Sequence, residues 1–417
     1  MSDPSPAPVR RVFLHIGLHK TGTSYLQNTF RANVSGLRDQ GVFFPAERRH
    51  PVQSLAVADL MGRRPRGTTD ARIAGAWQAA VDAVNSTDAP TILLSDEHLS
   101  LATTRQVRRA VQAFAGAQVH VVVTARDLAR VLVSAWQEEV KNRGSWSWAE
   151  FSAAVKDPTA ASRNPARAFW IRQDLPAVLA TWQAALPVER IHVVTVPPAG
   201  TPSAMLLQRF GSVVGFDPLQ LSEPARWSNE TIGLAGTEVI RRLNERLADL
   251  NQRQYDRVMK LTIVRILGRE TDPIRFTLPE EDFGWVRERG LAMIEAVRER
   301  GYPVAGDLDE LVPLPAAGRH PDDAREAELL EAALAALAGL SQRYATAWWA
   351  SKDPDDQLSA DSPKVQLASG ARAAVFRGQR AAARYADRSP VAGKAMAGYL
   401  RLRAAAREHS AGRAQRH

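Results

Sequence analysis

Residues 15–27, HIGLHKTGTSYLQ, concentrate the side-chain types that hold an oxyanion. Gly17 and Gly22 permit tight turns, and a turn that opens a helix presents backbone N–H groups and the positive end of the helix dipole to an anion. Thr21, Thr23 and Ser24 add hydroxyl donors, and Lys20, beside His19, adds a full positive charge. These residues point to a phosphate or sulfate ligand. The nucleotide loop G-x-x-x-x-G-K-[ST], laid over Gly17 and Gly22, requires a lysine at position 23. That position is Thr23, and the lysine lies three residues upstream. From there Lys20 approaches the loop's opposite flank, nearer the bridging oxygen of a phosphoanhydride, where a cation stabilises a departing phosphate.

Two later stretches carry complementary chemistry. PTILLSDEHLS ends an apolar run in Asp96, Glu97 and His98, groups able to take a proton from an acceptor hydroxyl. Glu97 is the first candidate base and His98 the second, with Glu47 and His50 as further candidates in the loop after the first helix. VVVTARDLARVLVSAWQ places Arg126 at a strand end and Ser134 eight residues on, about two helical turns along the next helix. Arg126 could instead form an ordinary ion pair with Asp127 or Glu138. Trp136, Trp146 and Trp148 suit either stacking on a ring or burial in the core.

These residues need a scaffold that brings strand ends together. RRVFLHIG reads as a buried strand, and TSYLQNTFRANVSGLRDQG as one helix stopped by Gly41. Strands follow at GVFF, PTILLS, AQVHVVVTA and RIHVVTV, separated by helical segments that include residues 72–85, 104–115 and 167–185. Such alternation predicts an α/β fold: a mostly parallel sheet, helices on both faces, ligands at the carboxyl ends of the strands. Beyond about residue 228 the pattern becomes helical only, giving a helical C-terminal extension over 229–350. Residues 1–8 read as a disordered leader, 351–363 as a linker and 364–417 as a basic Ala/Arg tail.

Among 417 residues there is no cysteine, which excludes disulfides, thiolate metal sites and cysteine nucleophiles and favours a cytoplasmic address. The formal net charge is +9, but 364–417 hold 12 of the 54 Lys and Arg and only two acids, Asp387 and Glu408. That leaves 42 basic and 43 acidic residues elsewhere, so the body is near neutral and a nucleic-acid-binding reading loses its support. The tail suits either plain disorder or a peripheral anchor on an anionic membrane surface.

The loop and the Arg–Ser pair together resemble the sulfotransferases that use 3′-phosphoadenosine 5′-phosphosulfate, over roughly residues 10–230. Their phosphosulfate loop, [HP]-K-x-G-[TS]-[TS], is matched by His19, Lys20, Thr21, Gly22, Thr23 and Ser24. Their 3′-phosphate grip, an Arg and a Ser eight residues later, is matched by Arg126 and Ser134. The wording of both stretches is most similar to the bacterial carbohydrate-type branch. The resemblance implies a P-loop NTPase-like sheet, sulfuryl transfer to a hydroxyl of a sugar, glycolipid or small alcohol, and no metal. In the cytosolic members the base is a histidine in a T-H-L strand end, the register of His98; in many carbohydrate-type members it is a glutamate, which suits Glu97. One departure stands out. The R-K-G-x-x-G-D-W-K-N stretch that closes over the cofactor in cytosolic members has no counterpart, and RWSNETIG at 226–233 holds its place in the order without the glycines. A P-loop kinase or ATPase, or a non-catalytic nucleotide-binding protein, is the alternative.

Overall fold

Five apolar runs form strands: β1 (Arg11–His15), β2 (Val42–Phe43), β3 (Thr91–Ser95), β4 (Gln118–Ala125) and β5 (Ile191–Thr195). With β6 (Val304–Ala305) they make one sheet in the order β2-β3-β1-β4-β5-β6, every pair parallel. This computed structural model describes residues 9–46, 52–64, 70–114, 116–158, 165–223, 232–269 and 274–350. Glu47, His50, most of RWSNETIG, the leader, the linker and the basic tail therefore lie outside the described residues.

Parallel strands are buried on both faces, and the period of two divides their side chains between two cores. Val12 and Leu14 face one core; Phe13 faces the other, with Leu93 and Val122. The connecting helices are α1 (Thr23–Ala32), α2 (Val34–Asp39), α3 (Gln53–Leu60), α4 (Asp70–Ile73), α5 (Ala76–Asn85) and α6 (Thr104–Gln112). After β4 come α7 (Leu128–Lys141), α8 (Trp148–Lys156), α9 (Pro165–Gln173) and α10 (Leu175–Gln183), and after β5 α11 (Ala204–Val214). α1 packs Leu26 and Phe30 on the Phe13 face, while α6 packs Val107 and Ala110 on the Val12 face. The chain thus winds in opposite senses on either side of β1, and such a divergence leaves a crevice at the strand ends.

The later part is helical: α12 (Leu234–Arg246), α13 (Gln252–Tyr255), α14 (Val264–Leu267), α15 (Glu280–Glu299) and α16 (Glu326–Ala350). Asp256–Ile263, between α13 and α14, winds as a π-helix. The chain divides into two compact units, residues 1–335 and 336–417, and of the second only 336–350 are described.

Three expectations need correction. Strands do not stop near residue 228, because Val304 and Ala305 pair with Val193 and Val194 at the sheet edge; two residues are too few to show alternation. The helix after the loop breaks at Asn33, whose side-chain amide donates to the carbonyls of Thr29 (2.9 Å) and Glu223 (2.8 Å). The helix expected over 167–185 divides at Asp174, which caps α10 by accepting from Ala177 N at 3.1 Å and precedes a first-turn proline.

Candidate active site

The oxyanion loop is an extension of β1 that keeps the register of β4. Leu18 N donates to Thr124 O at 2.8 Å, and Ile16 N to Val122 O at 3.0 Å. Gly17 takes φ 91°, and a Cβ there would stand 3.1 Å from Glu97 Cβ, so glycine lets the loop and the end of β3 approach. Lys20 adopts a left-handed φ of 65°, unusual for a non-glycine residue, and Gly22 at φ 87° starts α1. No side chain caps that helix, so its first-turn N–H groups remain available to an anion.

The hydroxyls divide differently from expectation. Thr21 is fully buried and donates to Leu18 O at 2.5 Å, while Thr23 donates to the same carbonyl at 3.2 Å. Both hold the loop's shape, and Ser24 is the exposed hydroxyl at its mouth.

A cleft of about 960 Å³ opens over this loop. His19, Lys20, Thr23, Ser24, Glu97, His98, Arg126 and Ser134 all line it; Thr21 and Gly22, which shape the loop from beneath, do not. The sheet brings them there from three strand ends: the loop follows β1, Glu97 and His98 open a 3₁₀ turn after β3, and Arg126 follows β4.

Lys20 Nζ lies 2.9 Å from Glu138 Oε2 on α7. Burial alone would raise the Glu138 carboxyl, but Lys20's charge and hydrogen bond, with Lys141 and Asn142, take it below the ordinary value. Asp127 is engaged elsewhere: it caps α7 through Arg130 N at 2.9 Å and pairs with the Arg130 guanidinium. Both carboxylates considered as partners for Arg126 are thereby occupied. Arg126 Nη1 donates to Lys20 O at 3.3 Å, and its buried Nε has no acceptor among the described residues. Burial, with Arg130 beside it, lowers the guanidinium to about 10. Ser134 Oγ, on the same wall, has no hydrogen-bond partner among the described residues.

At the opposite side, Asp96 Oδ1 accepts from His98 N and contacts His98 Nδ1, both at 2.9 Å. That hydrogen bond raises the His98 imidazole above its ordinary value, against burial. Burial raises the Glu97 carboxyl, with His98 pulling it partly back. His19 is held at about 3, chiefly by burial and then by Arg172, so it is neutral and its 3.9 Å approach to Glu97 Oε1 is not an ion pair.

Sequence reasoning missed the cleft's other wall. Arg172 and Gln173 reach it from α9, where Gln173 Nε2 donates to His19 O at 2.9 Å, and Asp256 and Lys260 reach it from the π-helical turn. Their segments carry no motif, and only the tertiary fold delivers them. The tryptophans belong elsewhere: Trp136 and Trp148 are buried and meet edge to face at 5.8 Å, and Trp146 supplies a carbonyl to Trp136 Nε1. None of the three lines the cleft. Comparison with protein-family models, with curated proteins and with solved structures found no match to this chain.

Proposed function

We propose that the chain is a P-loop-type sulfotransferase that moves a sulfuryl group from 3′-phosphoadenosine 5′-phosphosulfate to an acceptor hydroxyl. The observation that carries this reading is Arg126. A guanidinium that lines the cleft with no ion pair among the described residues and with its buried Nε lacking an acceptor, in the same cleft as Ser134, suits a second phosphate. A nucleotide with phosphates at one end only leaves that position empty. The donor set also fits a 5′-phosphosulfate: uncapped N–H groups, Ser24 and a lysine displaced toward the bridging oxygen.

When bound, 3′-phosphoadenosine 5′-phosphosulfate supplies an activated sulfuryl group. Ser24 and the first turn of α1 hold the 5′ end, and Arg126 with Ser134 holds the 3′-phosphate. Lys20 exchanges Glu138 for the leaving oxygen, where its charge matters most as negative charge develops. The geometry favours His98 over Glu97 as base, because Asp96 fixes the orientation of its ring through Nδ1 and leaves Nε2 to take the acceptor proton. The acceptor is an alcohol, with a sugar or lipid headgroup the expected class.

No described helix is long and apolar enough to cross a membrane. The basic tail at 364–417 keeps both its readings, plain disorder or a peripheral anchor on an anionic surface, and vesicle binding by the full chain separates them.

The test is ligand choice followed by transfer. Adenosine 3′,5′-bisphosphate should raise the melting temperature more than ATP with magnesium, and sulfur-labelled donor should label an alcohol acceptor. Stabilisation by ATP and none by the bisphosphate overturns the reading in favour of a kinase or ATPase. Binding of the bisphosphate with no transfer to any acceptor leaves a nucleotide-binding protein.

A further inference from the structure

His15, the last residue of β1, is fully buried beneath the oxyanion loop, and nothing in the proposed chemistry uses it. Its ring joins three strand ends. Nδ1 lies 2.8 Å from Ser95 Oγ at the end of β3, and Nε2 lies 3.3 Å from Thr124 Oγ1 near the end of β4. Ser95 precedes the Asp96–Glu97–His98 run, and Thr124 stands two residues before Arg126. The contacts continue outward: Gln27 Nε2 of α1 donates to Ser95 Oγ at 3.2 Å, and Thr124 Oγ1 meets Thr21 Oγ1 at 2.6 Å. Thr21 Oγ1 lies 2.5 Å from Leu18 O, where the chain ends in a group that can only accept.

Counting hydrogens gives this chain a direction. Gln27 can only donate through Nε2, and each hydroxyl has one hydrogen to give. If Ser95 gives its hydrogen to Nδ1, then Nε2–H donates to Thr124, Thr124 to Thr21, and Thr21 to the Leu18 carbonyl. Every donor then has an acceptor. In the opposite order Nδ1–H donates to Ser95, whose own hydrogen finds no acceptor among the described residues. If Thr124 then gives its hydrogen to Nε2, Thr21's single hydrogen serves either Thr124 or the Leu18 carbonyl and leaves the other contact, 2.5 or 2.6 Å, with none between the oxygens; if Thr124 keeps it for Thr21, Nε2 is left unpaired. Such a buried, unmade bond is unfavourable.

We infer that His15 is a positioning residue, a neutral Nε2–H imidazole whose ordered hydrogen-bond chain sets the anion loop against the strand ends carrying the base and Arg126. Burial holds the ring at about 3 against the opposing pull of Asp96, consistent with a group that stays neutral through the working range. The inference rests on the loop's role as the phosphosulfate site but not on the identity of the acceptor.

The full chain with ¹⁵N-labelled histidine tests it. Long-range ¹H–¹⁵N correlation should show His15, assigned by the signal missing from His15→Gln, as the Nε2–H form without titration down to about pH 5. Calorimetry with adenosine 3′,5′-bisphosphate gives the second readout. His15→Gln keeps a donor near Thr124 and should bind within about threefold of the parent. His15→Leu keeps the volume but not the chain, and should bind at least about tenfold more weakly, the scale of a buried hydrogen bond. The Nδ1–H form, titration near the ordinary histidine value, or equal affinities for the parent and His15→Leu would overturn the inference. If the parent itself ignores the bisphosphate, the sulfotransferase reading fails separately, and the tautomer alone decides the direction of the chain.

Discussion

Replacing Arg126 with methionine should move stability and binding in opposite directions. In the free protein the charged guanidinium is disfavoured by burial and then by Arg130, which together lower it to about 10. That depression corresponds to at most about 3 kcal/mol carried by the charged form, since the group keeps some solvent contact. Arg126→Met removes this penalty and also the 3.3 Å hydrogen bond to the Lys20 carbonyl, a bond worth about 1 kcal/mol. The free variant should therefore be as stable as the parent or more stable, by up to about 2 kcal/mol. Binding behaves otherwise. Loss of a charge-assisted contact to the 3′-phosphate costs about 1.5–3 kcal/mol, a rise in Kd of roughly 10- to 150-fold for adenosine 3′,5′-bisphosphate. The 5′-monophosphate, which has nothing to offer Arg126, should bind both proteins alike. Thermal melts and calorimetry on the two ligands measure all four quantities. Equal losses for both nucleotides, or a free variant melting well below the parent, would show that Arg126 is structural and refute the reasoning.

Lys20→Ala should lower kcat by far more than it weakens bisphosphate binding, and turnover surviving within about threefold would remove Lys20 from the transition state. Asp96→Asn keeps an acceptor for His98 Nδ1 but removes the negative charge that helps raise the imidazole, so the rising limb of kcat/KM against pH should move to lower pH as kcat falls; an unmoved limb returns the role of base to Glu97. The same contact has a stability signature, because a raised folded value favours the fold fully below the ordinary histidine range and less as pH climbs through the folded value. Gly22→Ala forces a left-handed backbone onto alanine and sets its Cβ 2.6 Å from Leu206 Cδ2, so melting should fall by the equivalent of about 1–3 kcal/mol and bisphosphate binding should weaken. A chain ending at residue 360 should keep bisphosphate affinity and lose attachment to anionic vesicles, an attachment that in the full chain should weaken as salt screens it over roughly 8 Å.

What was legible in the sequence follows from how local each signal is. The strand-to-helix transition at Gly17–Lys20–Gly22 is written in residues that need special backbone angles, and it stands where the pattern placed it. Buried parallel strands announce themselves as apolar runs, so β1, β3, β4 and β5 were readable. β2 was readable too, from the apolar run GVFF, but β6 was not: Val304 and Ala305 stand alone between Pro303 and Gly306 with no such run around them. Pairings among long side chains were equally opaque: Glu138 was a candidate partner for Arg126, yet it faces Lys20 across the cleft because α7 presents it to the loop. Arg172 and Lys260 arrive from segments whose composition says only that they are helical. The hydroxyls of Thr21 and Thr23 look like ligand donors in a motif, but burial turns them inward to a carbonyl.

Of the cations that line the cleft, Lys20 and Arg126 stand in different conditions before any ligand arrives, and that difference assigns them different work. Lys20 already holds Glu138 at 2.9 Å, so a 5′-anion that takes its ammonium must leave that carboxylate behind. The exchange replaces one ion pair with another and contributes little net affinity in a partly exposed cleft. Arg126 has no ion pair to surrender and its buried Nε no acceptor among the described residues, so on the proposed reading a 3′-phosphate would supply a bond where none existed. Ground-state recognition should therefore fall mainly on Arg126. On the proposed sulfotransferase reading, Lys20's favourable interaction would be reserved for the moment when the leaving oxygen becomes more negative than Glu138, which is the condition for lowering a barrier and not merely tightening a complex. On that argument a ligand lacking the 3′-phosphate binds weakly even with the loop intact, and Glu138→Gln, which frees Lys20 in advance, tightens the 5′-anion while leaving the preference for the 3′-phosphate in place.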